Sequence, residues 1–195
     1  MSESIEPVTR NFQPGERLMK KPLTALLLTL CVVVWTAAQT AVDWITYTSV
    51  EGHYIASFPQ QPTLKSQDGT ASTGEKLTQF TASSGDGHGG YMVAYFDLLG
   101  GMTFSFDKGR DGIIERTQGA LLSESPIALG DVPGRQLAIE AKDEGGIVFI
   151  VRARFYDVNK RIYLLQCILP KKEDGPAIAA KCEKFFESFK IQNRS

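Results

Sequence analysis

The sequence predicts one α+β domain: a mostly antiparallel sheet with helices packed on it. Three observations carry that expectation. Periodicity of two dominates from residue 44 onward, short turn signals separate most of the alternating segments, and two stretches switch to helical spacing without any repeating strand–helix–strand unit. Hairpins therefore order the sheet, and the helices interrupt it.

The alternating segments open with Trp44 to Val50 and His53 to Phe58, flanking the turn Glu51-Gly52. Pro59 lacks the N–H that a ladder needs and stops the second strand. A polar strand near Thr63 to Gln67 and another from Lys76 to Ala82 follow, and Gly85 to Gly90 reads as a flexible connection. Tyr91 to Leu98 comes next, with Met92, Ala94, Phe96 and Leu98 on one face. Residues 105–122 read as a helix, because Ile113, Ile114, Ala120 and Leu121 recur at helical spacing and Ser105 or Asp107 supplies a cap. Pro133-Gly134 reads as a turn before a strand from Gln136 to Ala141. Asp143-Glu144-Gly145-Gly146 reverses the chain into Ile147 to Tyr156. There Ile147, Phe149, Val151, Ala153 and Phe155 share one face, and Arg152 and Arg154 share the other. Asp157 to Lys160 turns the chain into Arg161 to Leu169, and a helix from about Gly175 to Phe189 closes it. Ile178, Cys182, Phe185 and Phe189 form its apolar stripe.

Ahead of the domain stands MKKPLTALLLTLCVVVWTAAQTA, from Met19 to Ala41. A membrane span needs roughly 20 apolar residues, and the run Leu23 to Trp35 is shorter. Two lysines, an apolar run and then small residues are the parts of an export signal, with candidate cuts after Ala38 or Ala41. An uncleaved anchor over residues 19–38 is the rival reading. Cys31 is not a lipid-attachment cysteine, since Leu28-Thr29-Leu30 precedes it in place of small residues. Residues 1–18 are polar, contain Pro7 and Pro14, and read as a disordered or mis-assigned start. The expected organisation is thus 1–18, a leader at 19–41, and one domain over 42–195, exported to the periplasm or the cell exterior.

Charge is nearly balanced, with 21 basic and 22 acidic residues. That gives no electrostatic case for a nucleic acid partner, and a membrane contact is expected only if the leader stays attached. The chain holds three cysteines and two histidines. Once the leader is removed, Cys167 and Cys182 remain. Their spacing fits no zinc framework, but an oxidising compartment makes them a disulfide candidate if the last helix packs on the preceding strand.

The loop SSGDGHGG carries Asp86 and His88, and Asp97 ends the next strand. A histidine with nearby carboxylates is the raw material for a metal site or an acid–base pair, which makes a metal-assisted hydrolase the alternative function. A solvated glycine-rich loop explains the same residues. It is no phosphate loop, because no Lys-Ser/Thr follows it and the next element is a strand. Arg152 and Arg154 are expected to cover apolar surface with their stems. Ser57, Ser123 and Ser125 lack a nucleophile elbow, and Asn193-Arg194-Ser195 matches a glycosylation sequon by chance. No cofactor is implied.

Four stretches in order, YTSVEGHYIASFPQQP, VPGRQLAIE, RIYLLQCILP and FFESFKI, resemble exported bacterial domains of the PsbP-like class, which takes its name from an extrinsic subunit of photosystem II. The DcrB-like envelope proteins share that class. The resemblance implies an α/β/α sandwich and a non-catalytic binding or assembly-accessory role, with a protein or small ligand of the envelope as partner. It carries over no functional residue, since Phe58-Pro59, Pro133-Gly134 and Phe189 are structural positions, and fold alone does not transfer function.

Overall fold

A computed structural model describes residues 43–70 and 74–192. The leader, the residues before it and the sequon at 193–195 lie outside the described residues. Among the described residues the order is β1 (Ile45–Ser49), β2 (Tyr54–Phe58), β3 (Thr63–Thr70), β4 (Lys76–Gly85), β5 (Gly90–Asp97), α1 (Phe106–Thr117), β6 (Ala120–Leu129), β7 (Val132–Lys142), β8 (Val148–Val158), β9 (Arg161–Pro170), α2 (Pro176–Ser188) and β10 (Lys190–Ile191). No helix among them is long and apolar enough to cross a membrane.

Seven strands form one sheet in the order β3-β4-β5-β9-β8-β7-β6, and every pairing is antiparallel. A smaller antiparallel sheet, β1-β2-β10, joins the start of the domain to its end. Alternation divides the large sheet into two buried faces. On one, Tyr91, Val93, Tyr163, Leu165, Cys167 and Ile150 pack under α2 and the small sheet, with Tyr54, Phe58, Phe185 and Phe189 closing the layer. On the other, Ala94, Leu137, Ile139, Val151, Ala153 and Phe155 pack under α1 through Ile113. The expected α+β architecture, a mostly antiparallel sheet between helices, is what the chain forms.

Tight turns hold the registers. Asn159 and Lys160 both take positive φ, 51° and 68°, between the paired residues Val158 and Arg161. That is the backbone a two-residue hairpin of primed type needs. Ser105 caps α1 by accepting from the Lys108 N–H, as expected, and Pro176 occupies the first turn of α2, where its missing N–H costs nothing.

Two expectations are corrected. The helix does not run to residue 122: Gln118 adopts the left-handed region (φ 48°) and donates its N–H back to Glu115 and Ile114, and Ala120 begins β6. Pro133-Gly134 is not a turn but lies inside β7, paired with Ala128 and Ile127. The reversal comes earlier, at Gly130-Asp131, where Gly130 has φ 60°. Gly134 serves the strand by being bare. A Cβ there would sit 2.5 Å from the Phe155 carbonyl oxygen and 2.6 Å from the Tyr156 ring, which crosses over it.

Candidate functional site

The residues of the acidic loop are dispersed by the fold. Asp86 and His88 sit in the β4–β5 turn, whereas Asp97 is the last residue of β5. β5 is eight residues long, and at about 3.4 Å per residue its two ends stand more than 20 Å apart. Asp97 grips Arg161 with both oxygens, each at 2.7 Å. Asp86 builds the turn: one oxygen accepts from the N–H groups of His88 and Gly89, both at 3.0 Å. The other accepts from Lys181 at 2.8 Å and from the Tyr91 hydroxyl at 3.3 Å. Burial raises the Asp86 pKa, but those hydrogen bonds outweigh it and hold the carboxyl below its ordinary value. The solvated-loop reading therefore fits His88, half exposed and 3.6 Å from Glu173, but not Asp86. Among the described residues no group of three His, Cys, Asp or Glu side chains is placed to hold a metal ion.

Arg154 bonds Gln136 at 2.7 Å and Glu183 at 2.6 Å, and its guanidinium lies 4.5 Å from the Phe186 ring centre, covering apolar surface as expected. Arg152 reaches Asp174 at 2.9 Å. Cys167 on β9 and Cys182 on α2 stand at disulfide distance, with Cα atoms 5.7 Å apart, inside the range a bridge requires.

A different site emerges where the two sheets meet. Alternation sends Tyr47 and Ser49 of β1, Leu64 and Ser66 of β3, Phe80 and Ala82 of β4, and Tyr95 of β5 toward a common space. Together with Tyr54, these residues line a cleft of about 260 Å³. The strand register sets its floor: Ser66, Phe80 and Tyr95 lie side by side, and the row continues beneath the core through Tyr163 and Tyr156. Phe80 stacks on Tyr95 with ring centres 5.1 Å apart and planes 16° from parallel. Arg161 places its guanidinium 4.7 Å from the Tyr95 ring centre.

The upper wall is pinned in place. Arg161 donates to the Glu51 carbonyl at 2.6 Å and the Tyr163 hydroxyl donates to the Gly52 carbonyl at 2.7 Å, so β9 anchors the β1–β2 loop above the large sheet. Burial pushes the Tyr54 and Tyr95 phenols upward, against Arg161 in the case of Tyr95, so both stay neutral hydroxyls at ordinary pH. The cleft thus offers aromatic faces and hydroxyls, with Glu51 and Lys65 at its edge, and no nucleophile paired with a base. Its exposed lining is mixed: Phe80 is 37% accessible and Leu64 59%, beside the exposed Glu51, Lys65 and Ser66. Such a lining is suited to a ligand held by stacking and burial.

Sequence reasoning missed this site because five strands each contribute only a few residues. The available signal was Leu64, a lone large apolar residue in an otherwise polar strand.

No protein-family profile matches the chain. No curated protein matches it. Among solved structures, the cyanobacterial PsbP (CyanoP) from Synechocystis sp. PCC 6803 superposes with a TM-score of 0.55 at 10% identity, over 77% of this chain and 93% of that one. A protein of unknown function from Pseudomonas aeruginosa gives 0.45 at 10% identity, over 78% of this chain and 99% of that one. A protein from Bacteroides thetaiotaomicron VPI-5482 gives 0.41 at 12%, over 76% of this chain and 48% of that one. The first of these supports an argument about architecture: the chain shares the fold of the cyanobacterial PsbP protein.

Proposed function

We propose that this chain is an exported, non-catalytic binding or assembly-accessory domain of the cell envelope, and that the cleft between the two sheets holds its partner, a protein or a small ligand. The observation that carries the binding role is the exposure of Phe80 and Leu64 at the mouth of an aromatic cleft whose wall is fixed by Arg161 and Tyr163. A purely structural packing layer would bury such residues, and an open, rigid aromatic surface is suited to recognition. Export is supported by the leader at residues 19–41 and by the cysteine pair, since disulfides persist in oxidising compartments. A non-catalytic role is supported by the commitment of Asp86 to its turn and of Asp97 to Arg161.

Site-directed photo-crosslinking in cells tests the reading. A benzophenone side chain at position 80 is expected to give a discrete envelope adduct, whereas the same group at the exposed Leu122 gives none. Equal labelling from both positions, or none from position 80, refutes the cleft as the site. Osmotic-shock release of the protein is the expected result of fractionation; retention with washed membranes instead identifies residues 19–38 as an uncleaved anchor.

A further inference from the structure

The two edges of the large sheet are built differently. β6, at one end, carries Pro126 within the strand and a register shift between Leu121 and Ser123. Its Glu124 is tied to Arg110 and Arg135. These are the devices that stop an edge from pairing with another chain. β3, at the other end, has neither a proline nor a register shift, and its charges are Lys65 and Asp68, the latter accepting from the Thr78 hydroxyl. Its register with β4 runs without a break from Thr63–Ser83 to Thr70–Lys76, no proline interrupts it, and every residue is exposed. Alternate residues along it direct N–H and C=O groups away from β4, where no strand among the described residues meets them.

This open edge borders the aromatic cleft. On the cleft side β3 presents Leu64 and Ser66 beside Phe80, and Lys65 between them borders the cleft at the strand edge while alternation directs its side chain to the opposite face. Lys65 has no ion-pair partner among the described residues, in contrast to Glu124 on the protected edge. Resting on the binding role proposed above, we infer that the partner is an extended polypeptide segment that adds to the free edge of β3. Apolar side chains enter the cleft against Leu64 and Phe80, and an acidic residue on the other face pairs with Lys65. Main-chain bonds to β3 supply the attachment, and the alternating pockets supply selectivity. The charge fixes the register, because opposite charges across a strand pair attract and like charges repel.

The probes are fluorescein-labelled, end-capped decapeptides of alternating valine and threonine, with a central threonine replaced by glutamate or by lysine. The glutamate peptide is expected to bind roughly five- to tenfold tighter than the lysine peptide at low salt. Lys65→Glu, on the surface and checked by circular dichroism, is expected to reverse that order. Hydrogen exchange is expected to slow at alternate amides of Thr63–Thr70 when the glutamate peptide is bound. Peptide binding without protection of those amides, or an order unmoved by Lys65→Glu, overturns strand addition. Amide protection that grows with protein concentration in the absence of peptide, together with a dimer in sedimentation, overturns it in favour of self-pairing. An adduct from position 80 combined with unprotected β3 amides leaves the binding reading standing and removes this inference; absence of both removes the two together.

Discussion

Phe185 is the residue on which the α2 face of the domain turns, and truncating it to alanine is expected to destabilise the protein by about 3–5 kcal/mol. Its side chain is fully buried. Its ring lies 5.5 Å from Phe58, 5.5 Å from Tyr91 and 5.6 Å from Phe186, centre to centre. The substitution removes three aromatic pairs from a layer where the helix, the small sheet and the large sheet converge, each pair adding about 0.5–1.5 kcal/mol beyond its area. Alanine returns only about 0.5 kcal/mol through better helix propensity. For a domain of this size a loss near 4 kcal/mol lowers Tm by roughly 8–16 °C. The neighbouring Lys184 is the control. It is exposed, and its ammonium stands 4.9 Å from the Trp44 ring centre, an interaction worth about 0.5–1 kcal/mol at such a site. Lys184→Ala is thus expected to cost no more than about 1 kcal/mol. Urea denaturation followed by Trp44 fluorescence measures both, with an unchanged slope required for the comparison. Equal losses, or a loss below about 1 kcal/mol for Phe185→Ala, would show that the helix does not seat this face on the sheet.

Reduction of the Cys167–Cys182 pair, separated by 15 residues, is expected to cost about 3 kcal/mol and to raise the intact mass by about 2 Da; alkylation of both thiols in unfolded but unreduced protein contradicts a bridge. Asp86→Ala is expected to cost about 2 kcal/mol, because four donors lose a charged acceptor, while His88→Ala is nearly neutral in the same urea assay. The Asp86 carboxyl is lower in the folded than in the unfolded state, so its contribution is complete above about pH 4 and disappears as pH falls through the depressed folded value. Acid titration of Asp86→Ala should accordingly lack that portion of the stability loss. Gly134→Ala is expected to destabilise by about 1–3 kcal/mol, where an unhindered Gly→Ala change would stabilise, because the new Cβ meets backbone oxygen that cannot yield.

The elements that were legible in the sequence each carry one uninterrupted apolar face. β8 showed itself through Val151, Ala153 and Phe155, and α2 through Cys182, Phe185 and Phe189; both lie where alternation or helical spacing predicts, and Cys167 and Cys182 meet because that helix packs on that strand. β6 was hidden for the opposite reason. It is an edge strand with little buried surface, its alternation slips at the Leu121–Ser123 bulge, and Pro126 signals a break that only an edge tolerates. Pro133-Gly134 misled because the need for a bare backbone comes from Tyr156, two strands' length away in sequence. Closeness in sequence also grouped Asp86 with Asp97, which a strand then carries apart. The cleft carried no motif, being assembled from residues at positions 47, 64, 80 and 95 that only the sheet register aligns.

The small sheet has a consequence for how the chain becomes a protein at all. β2 waits for β10, and the Ser57 N–H waits for the Ser188 hydroxyl, 131 positions later. A polypeptide delivered N-terminus first therefore presents Tyr54 and Phe58 long before Phe185 and Phe189 arrive to cover them. Loop closure over such a span is slow: β1 and β2 can pair locally, but the β2–β10 pairing waits until α2 and β10 are available. The arrangement that ties the two ends of the finished domain together makes loss of the final turn of α2 a defect in the first strands as much as in the last.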